Sequence, residues 1–178
     1  MTTPPPEGME SLLFTASEIQ ARVLELGEQI SRDYAGKTPL LVGLLKGSFI
    51  FLGDLARAIS VDSQVEFMVV SSYGNSQENS EVRILFDLQV PIQGRDLLIV
   101  EDMIDTGLTL AKVVEILSSR HPRSVKVCTL LNKPSRRRVP VTIDYNGFDI
   151  PDVFVAGYGI DYAQKYRNLP YLAVTKKA

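Results

Sequence analysis

Short apolar runs, interspersed with segments of helical period, constrain this chain more than any other feature. "PLLVGLL" (39–45), "VEFMVV" (65–70), "RDLLIVED" (95–102) and "SVKVCTLLN" (124–132) are compact runs with apolar centres. That is the pattern of strands buried on both faces. "DVFVAGYG" (152–159) and "YLAV" (171–174) read as further strands, and "RILFDL" (83–88) as a returning one. Helical segments lie between them. Thr15-Ala-Ser-Glu18 has the form of a capping box, and behind it Ile19, Val23, Leu26 and Ile30 recur at helical spacing until Gly36. Phe49, Leu52, Leu55, Ala56 and Ile59 form a second such stripe, and Leu110, Val113, Val114 and Leu117 a third, within a helix over 108–120. Buried strands alternating with helices imply an α/β fold with a mostly parallel sheet and helices on both faces. "SSYGNSQENSEV" (71–82) is polar and rich in Ser, Asn and Gly, and reads as a loop.

The 178 residues suit one domain with a sizeable core. The start, "MTTPPPEGME", has neither a basic nor an apolar signal region. Its three prolines make residues 1–11 an expected disordered lead-in, with the domain over 12–178. No apolar run approaches the roughly 18 residues that would cross a bilayer. A cytoplasmic location is the default, with no membrane contact. The net charge of −2 gives no general basic field for nucleic acid. Cys128 is the single cysteine and reads as a buried small hydrophobe. His121 is the single histidine, and Pro122 behind it marks a helix end. A histidine-based triad or a multi-histidine metal site is therefore excluded, and acid–base work falls to Asp, Glu, Lys or Tyr. The charge run Arg136-Arg137-Arg138 reads as a solvated face or loop, with contact to a phosphate or a partner subunit as the alternative.

The segment "LLIVEDMIDTGLTL" (97–110) carries the chemistry. In open α/β sheets, ligands bind beyond the carboxyl ends of the strands. Here an apolar strand runs into Glu101 and Asp102, and Asp105-Thr106-Gly107-Leu108-Thr109 leads into a helix. Free N–H groups at a helix N-terminus bind anions, and the helix dipole favours them. Gly107 permits close approach, and Thr106 and Thr109 add hydroxyls. A plain helix cap from Thr106 or Asp105 is the alternative. Two carboxylates beside an anion cradle make sense if they hold ribose hydroxyls, a Mg²⁺ ion, or both. The implied ligand is a phosphorylated sugar.

This segment resembles the 5-phosphoribosyl pyrophosphate (PRPP) signature of type I phosphoribosyltransferases. "LLKGSFIFLGDLAR" (44–57), "SSYGNS" (71–76), "LLNKPSRR" (130–137) and "DIPDVFVAGYGIDYAQKYRNLPYL" (149–172) resemble the bacterial hypoxanthine (hypoxanthine-guanine) phosphoribosyltransferases. The likeness covers roughly residues 12 to 175. It implies transfer of ribose 5-phosphate from PRPP to N9 of hypoxanthine or guanine, giving IMP or GMP and pyrophosphate. The transition state resembles an oxocarbenium ion.

The same resemblance implies the residue roles. Asp105 matches the general base near N7 of the purine. Residues 105 to 109 match the 5-phosphate loop, with Leu108 standing where some relatives carry lysine. Glu101 and Asp102 match the ribose-diol and Mg²⁺ contacts, and Asp161 a second metal contact beside the purine. Lys46 and Gly47 match a pyrophosphate-binding segment that often contains a cis peptide, and Arg167 a further pyrophosphate contact. Lys133 would donate to the oxygen at C6 of the purine, Phe154 would stack on its ring, and the Val155 backbone would read its edge. Ser72 and Tyr73 fall in a loop that the family uses as a lid.

The implied fold is a five-stranded, mainly parallel sheet flanked by helices. A small hood from the N-terminal segment and the C-terminal part covers the purine. Mg²⁺ is the implied cofactor and a homodimer or homotetramer the implied assembly. One rival is a PRPP- or nucleotide-sensing regulator on the same fold, but such regulators typically lack an acid at the position of Asp105. A receiver-like signalling domain would leave Lys46-Gly47 and the Phe154 segment unexplained. A preference for xanthine or adenine stays open.

Overall fold

The computed structural model describes residues 8–73 and 81–176. In chain order the elements are β1 (Met9–Phe14), α1 (Ala16–Asp33), β2 (Leu40–Leu45), α2 (Phe49–Ala58), β3 (Gln64–Tyr73) and β4 (Glu81–Phe86). There follow β5 (Asp96–Ile104), α3 (Leu108–Ser118), β6 (Ser124–Asn132), a 3₁₀ turn (Pro134–Arg136), β7 (Tyr145–Asp149), β8 (Val155–Ala156) and β9 (Leu172–Thr175). The main sheet has the order β4-β3-β2-β5-β6-β7, and every pair in it is parallel except β3 with β4.

Alternation along the central strands builds two cores. Leu41, Leu98, Val100, Cys128 and Leu130 pack on one face with Ile19, Val23, Leu26 and Ile30 of α1 and Phe51, Leu52 and Leu55 of α2. Leu40, Val42, Leu44, Leu97, Ile99 and Val127 point the other way, against Leu110, Val113 and Leu117 of α3. Successive side chains on a strand face opposite sides, so a strand covered on both faces must be apolar throughout. The capping box on α1 forms as expected. The Thr15 amide donates to Glu18 Oε2 at 2.8 Å, and the Glu18 amide donates to Thr15 Oγ1 at 3.2 Å.

The five parallel strands are present, with β4 as an added antiparallel edge. The fifth of them is β7, however, not residues 152–159. Only Val155–Ala156 of that stretch is a strand, and it pairs with β9 in a separate sheet of order β1-β9-β8. "YNGFD" gives little strand signal because Gly147 interrupts it. Yet a Cβ there would lie 2.2 Å from the Leu130 carbonyl oxygen, so the neighbouring backbone requires glycine. Strand β1 begins at Met9, inside the stretch read as a lead-in, and pairs antiparallel with β9. This second sheet joins the two ends of the chain, as the hood requires. The polar loop is also shorter than it reads, because the backbones of Ser72 and Tyr73 pair with Val82 and Glu81. The rest of the expected lid, 74–80, lies outside the described residues. Cys128 is buried and His121 exposed. No helix among the described residues is long and apolar enough to cross a membrane.

Candidate active site

Strand β5 does not end at its acids. It continues to Ile104, so Glu101 and Asp102 are its sixth and seventh residues, and Ile104 is buried. Both carboxylates are half-buried where the apolar core gives way to the carboxyl end of the sheet. Asp102 Oδ1 accepts from the Met103 amide at 2.8 Å. Its other oxygen presses on Gly47, where a Cβ would lie 1.7 Å from Asp102 Oδ2. Gly159 closes the far side, since a Cβ there would lie 2.3 Å from the Gly47 carbonyl oxygen. Gly47 thus has the β5 acid on one side and the 157–167 segment on the other. The peptide bond between Leu45 and Lys46 is cis, one bond before Lys46-Gly47.

These carboxylates are electrostatically frustrated. Burial pushes Glu101 well above the usual carboxylate range, and the charge of Asp102 adds to the effect. Burial pushes Asp102 up to about 6, against the opposing pull of backbone amides and of Arg167, while Asp161 pushes it further up. Glu101 Oε2 is buried and without a hydrogen-bond partner among the described residues. Asp161 accepts from the Gln164 amide at 2.8 Å and pairs with Arg167 at 2.7 Å. Arg167 also donates to the Gly159 carbonyl at 2.8 Å. Lys46, Gly47, Glu101, Asp102, Asp161 and Arg167 are therefore brought into one neighbourhood, although no short stretch of sequence contains them all.

The start of α3 differs from the start of α1. Its N-cap, Gly107, is left-handed with φ 82°, and no side-chain cap closes the helix. Thr106 Oγ1 lies 3.4 Å from the Leu108 amide, a weak contact. The plain alternative of a capped terminus is therefore not what the fold adopts. Apart from that contact no side chain caps the first turn among the described residues, which is the condition for an anion site there.

Lys133 follows β6 and is buried, with its ammonium 5.9 Å from the ring centroid of Phe154. Phe154 is 61% exposed, and Val155 beside it is buried. An exposed aromatic face next to a buried lysine is a slot for a flat polar ring. Reading Phe154 in isolation as core would fail on this exposure.

The arginine run lies in an exposed loop, as read from the sequence, but its members also make specific contacts. Arg136 Nε donates to Asp105 Oδ1 at 3.0 Å and lies 3.7 Å from Asp152 Oδ1. Arg137 donates to Asn132 Oδ1. The Arg138 amide donates to the Thr106 carbonyl at 2.9 Å. A Cβ on Gly107 would lie 3.1 Å from Arg137 Cδ, so Arg137, the half-buried member of the run, packs against the helix terminus. Sequence reasoning missed Arg136 and Asp152. The only available signal was the nearness of the run to Lys133. A separate cavity of ≈ 530 Å³ lies between α1, α2 and residues 158–170, lined by Leu24, Asp54, Arg57 and Tyr158, and none of the site residues above lines it.

Comparison with known proteins gives the family of the chain. Residues 13–163 match the model of the phosphoribosyl transferase domain. The chain is 54% identical over 164 residues to a hypoxanthine phosphoribosyltransferase of Escherichia coli, covering 90% of this chain and 92% of the relative. It is 48% identical to a hypoxanthine-guanine phosphoribosyltransferase of Bacillus subtilis, covering 96% and 95%. The crystal structure of a hypoxanthine-guanine phosphoribosyltransferase from Bacillus anthracis superimposes with a TM-score of 0.91 at 44% identity, covering 94% of this chain and 99% of that one. The chain belongs to the phosphoribosyl transferase domain family, among the hypoxanthine phosphoribosyltransferases.

Proposed function

We propose that this enzyme transfers the 5-phosphoribosyl group of PRPP to N9 of hypoxanthine, and also of guanine, giving IMP or GMP and pyrophosphate in purine salvage. The C1–oxygen bond to pyrophosphate breaks, the C1–N9 bond forms, and the purine gives up a proton. The observation that carries the reading is a helix N-terminus without a side-chain cap beside a half-buried carboxylate pair, of which Glu101 Oε2 has no hydrogen-bond partner among the described residues. A ligand with a phosphate at one end and a metal-bound diol at the other satisfies both.

The roles follow from placement. The amides of residues 106 to 109 and the hydroxyls of Thr106 and Thr109 hold the 5-phosphate. Glu101 and Asp102 orient the ribose hydroxyls. The Lys46-Gly47 backbone and Arg167 receive the pyrophosphate as negative charge builds on it. Lys133 and Phe154 fix the purine, with the Val155 backbone at its edge, and Asp105 accepts its proton. Ser72 and Tyr73 lead into the lid that excludes water from the cation-like centre.

Mg²⁺ fits the donors present. Glu101 Oε2 is a buried oxygen without a partner, and Asp102 and Asp161 influence each other electrostatically. No three His, Cys, Asp or Glu among the described residues converge as a ready-made cage. One or two carboxylates plus PRPP oxygens and water make a normal Mg²⁺ shell. When bound, the ion neutralises charge on the departing pyrophosphate. A cytoplasmic location and a homodimer or homotetramer complete the reading. The test is PRPP- and Mg²⁺-dependent turnover of hypoxanthine, guanine, xanthine and adenine side by side. Hypoxanthine and guanine are expected to react best. PRPP binding without turnover of any purine would favour a regulator instead.

A further inference from the structure

We propose that Arg136 is a positioning residue that sets the orientation of Asp105 and ties it to the purine slot. The proposal rests on the reading of Asp105 as the purine's proton acceptor. Three segments frame that slot: the β5–α3 loop with Asp105, the end of β6 with Lys133, and the β7–β8 connection with Phe154. One guanidinium reaches across them. Arg136 Nε donates to Asp105 Oδ1 at 3.0 Å and lies 3.7 Å from Asp152 Oδ1, two residues before Phe154. Its own backbone amide donates to the Lys133 carbonyl at 3.1 Å.

An exposed ion pair is ordinarily worth little, because solvent screens it and two side chains lose freedom. This one is restrained by the backbone. Pro134 opens the 3₁₀ turn that carries Arg136. The amides of Arg138 and Val139 donate to the Thr106 carbonyl at 2.9 and 3.4 Å, anchoring the turn to the residue next to Asp105. Both partners are thus held before they meet, which removes much of the ordering cost. With Oδ1 engaged, no hydrogen bond reaches Asp105 Oδ2 among the described residues. The geometry leaves that oxygen for the purine N–H. Both carboxylates approach the same Nε, so Asp105 takes its hydrogen bond and Asp152 adds charge attraction alone.

The test compares wild type, R136Q, R136K, D105N and R136Q/D105N in steady-state assays with PRPP and hypoxanthine. R136Q is expected to lower kcat/KM for hypoxanthine ~10- to 100-fold, the scale of a misplaced catalytic group. The KM for PRPP should stay within about twofold, because the phosphate loop is untouched. R136K should recover part of the loss. In the D105N background, R136Q should cost no more than about twofold, since a residue acting through Asp105 has nothing left to position. Wild-type kcat/KM in R136Q, or an undiminished loss in the D105N background, would overturn the proposal. If wild type itself turns over no purine, the functional reading fails. The positioning claim is then decided by the crystal structure of R136Q, where a reoriented Asp105 carboxylate supports it and an unmoved one refutes it.

Discussion

Among single residues, Asp102 shows how the site sets function against stability. Its folded pKa of about 6 lies above the value of a free aspartate. A raised carboxylate pKa means that the ionised form is disfavoured by folding. The penalty is absent below the unfolded pKa, grows as pH rises between the two values, and is complete above the folded one. D102N removes that penalty at neutral pH. It is expected to stabilise the ligand-free protein by on the order of 1–2 kcal/mol at pH 7.5, allowing for its partial exposure, and by less than about 0.5 kcal/mol at pH 4. Thermal melts at the two pH values measure the difference, and equal shifts would contradict the burial argument. The same variant should bind PRPP and Mg²⁺ poorly. The sequence displayed the acid pair but not its raised pKa, because the burial and the Asp161 charge that cause it come from segments distant in the chain.

Elements differ in how their ends and edges are satisfied. Helix α1 closes its own N-terminus with Thr15 and Glu18, whereas α3 starts at a left-handed glycine and leaves its first amides unclaimed. On the proposed reading, that contrast separates a structural helix from one that binds the 5-phosphate. Strand β7 depends on a single small residue. A methyl group on Gly147 would collide with the Leu130 backbone, which cannot rotate away as a side chain can. G147A is expected to cost about 1–3 kcal/mol, the range of an overpacked site. A urea midpoint unchanged from wild type would refute this account of the edge. Because β7 leads to Asp152 and Phe154, the loss should also appear as a raised KM for the purine. The helices and central strands were legible from period and capping alone. Strand β7 was not, because its glycine answers to a neighbouring backbone and carries no local strand preference.

For the whole molecule, Val65, Phe67, Leu85 and Phe86 on β3 and β4 are all exposed. Large apolar side chains gathered at one end of a sheet commonly mark an interface. The homo-oligomer proposed above is supported by this surface. Light scattering after gel filtration should give a mass of at least twice the 19.7 kDa chain, and F67E should shift it toward the monomer. A monomeric wild type at micromolar concentration would end the oligomer reading. Net charge, the lone cysteine and the lone histidine were informative at this scale by exclusion. They argued against a nucleic-acid field, a disulfide within the chain and a multi-histidine site before any fold was considered.

By itself, the sequence determined the layered fold and the acidic phosphate-loop segment, because hydrophobic period, helix capping and a contiguous "EDMIDTGLT" are local properties of the chain. Only the tertiary structure decided that Arg136 grips Asp105 and that Gly47 stands between Asp102 and Gly159. It also decided that Phe154 faces solvent beside Lys133 and that Tyr145–Asp149 is the fifth parallel strand. Each of these depends on contacts between segments far apart in sequence. No window of residues carries such contacts until chain topology and core packing bring the carboxyl ends of the strands together.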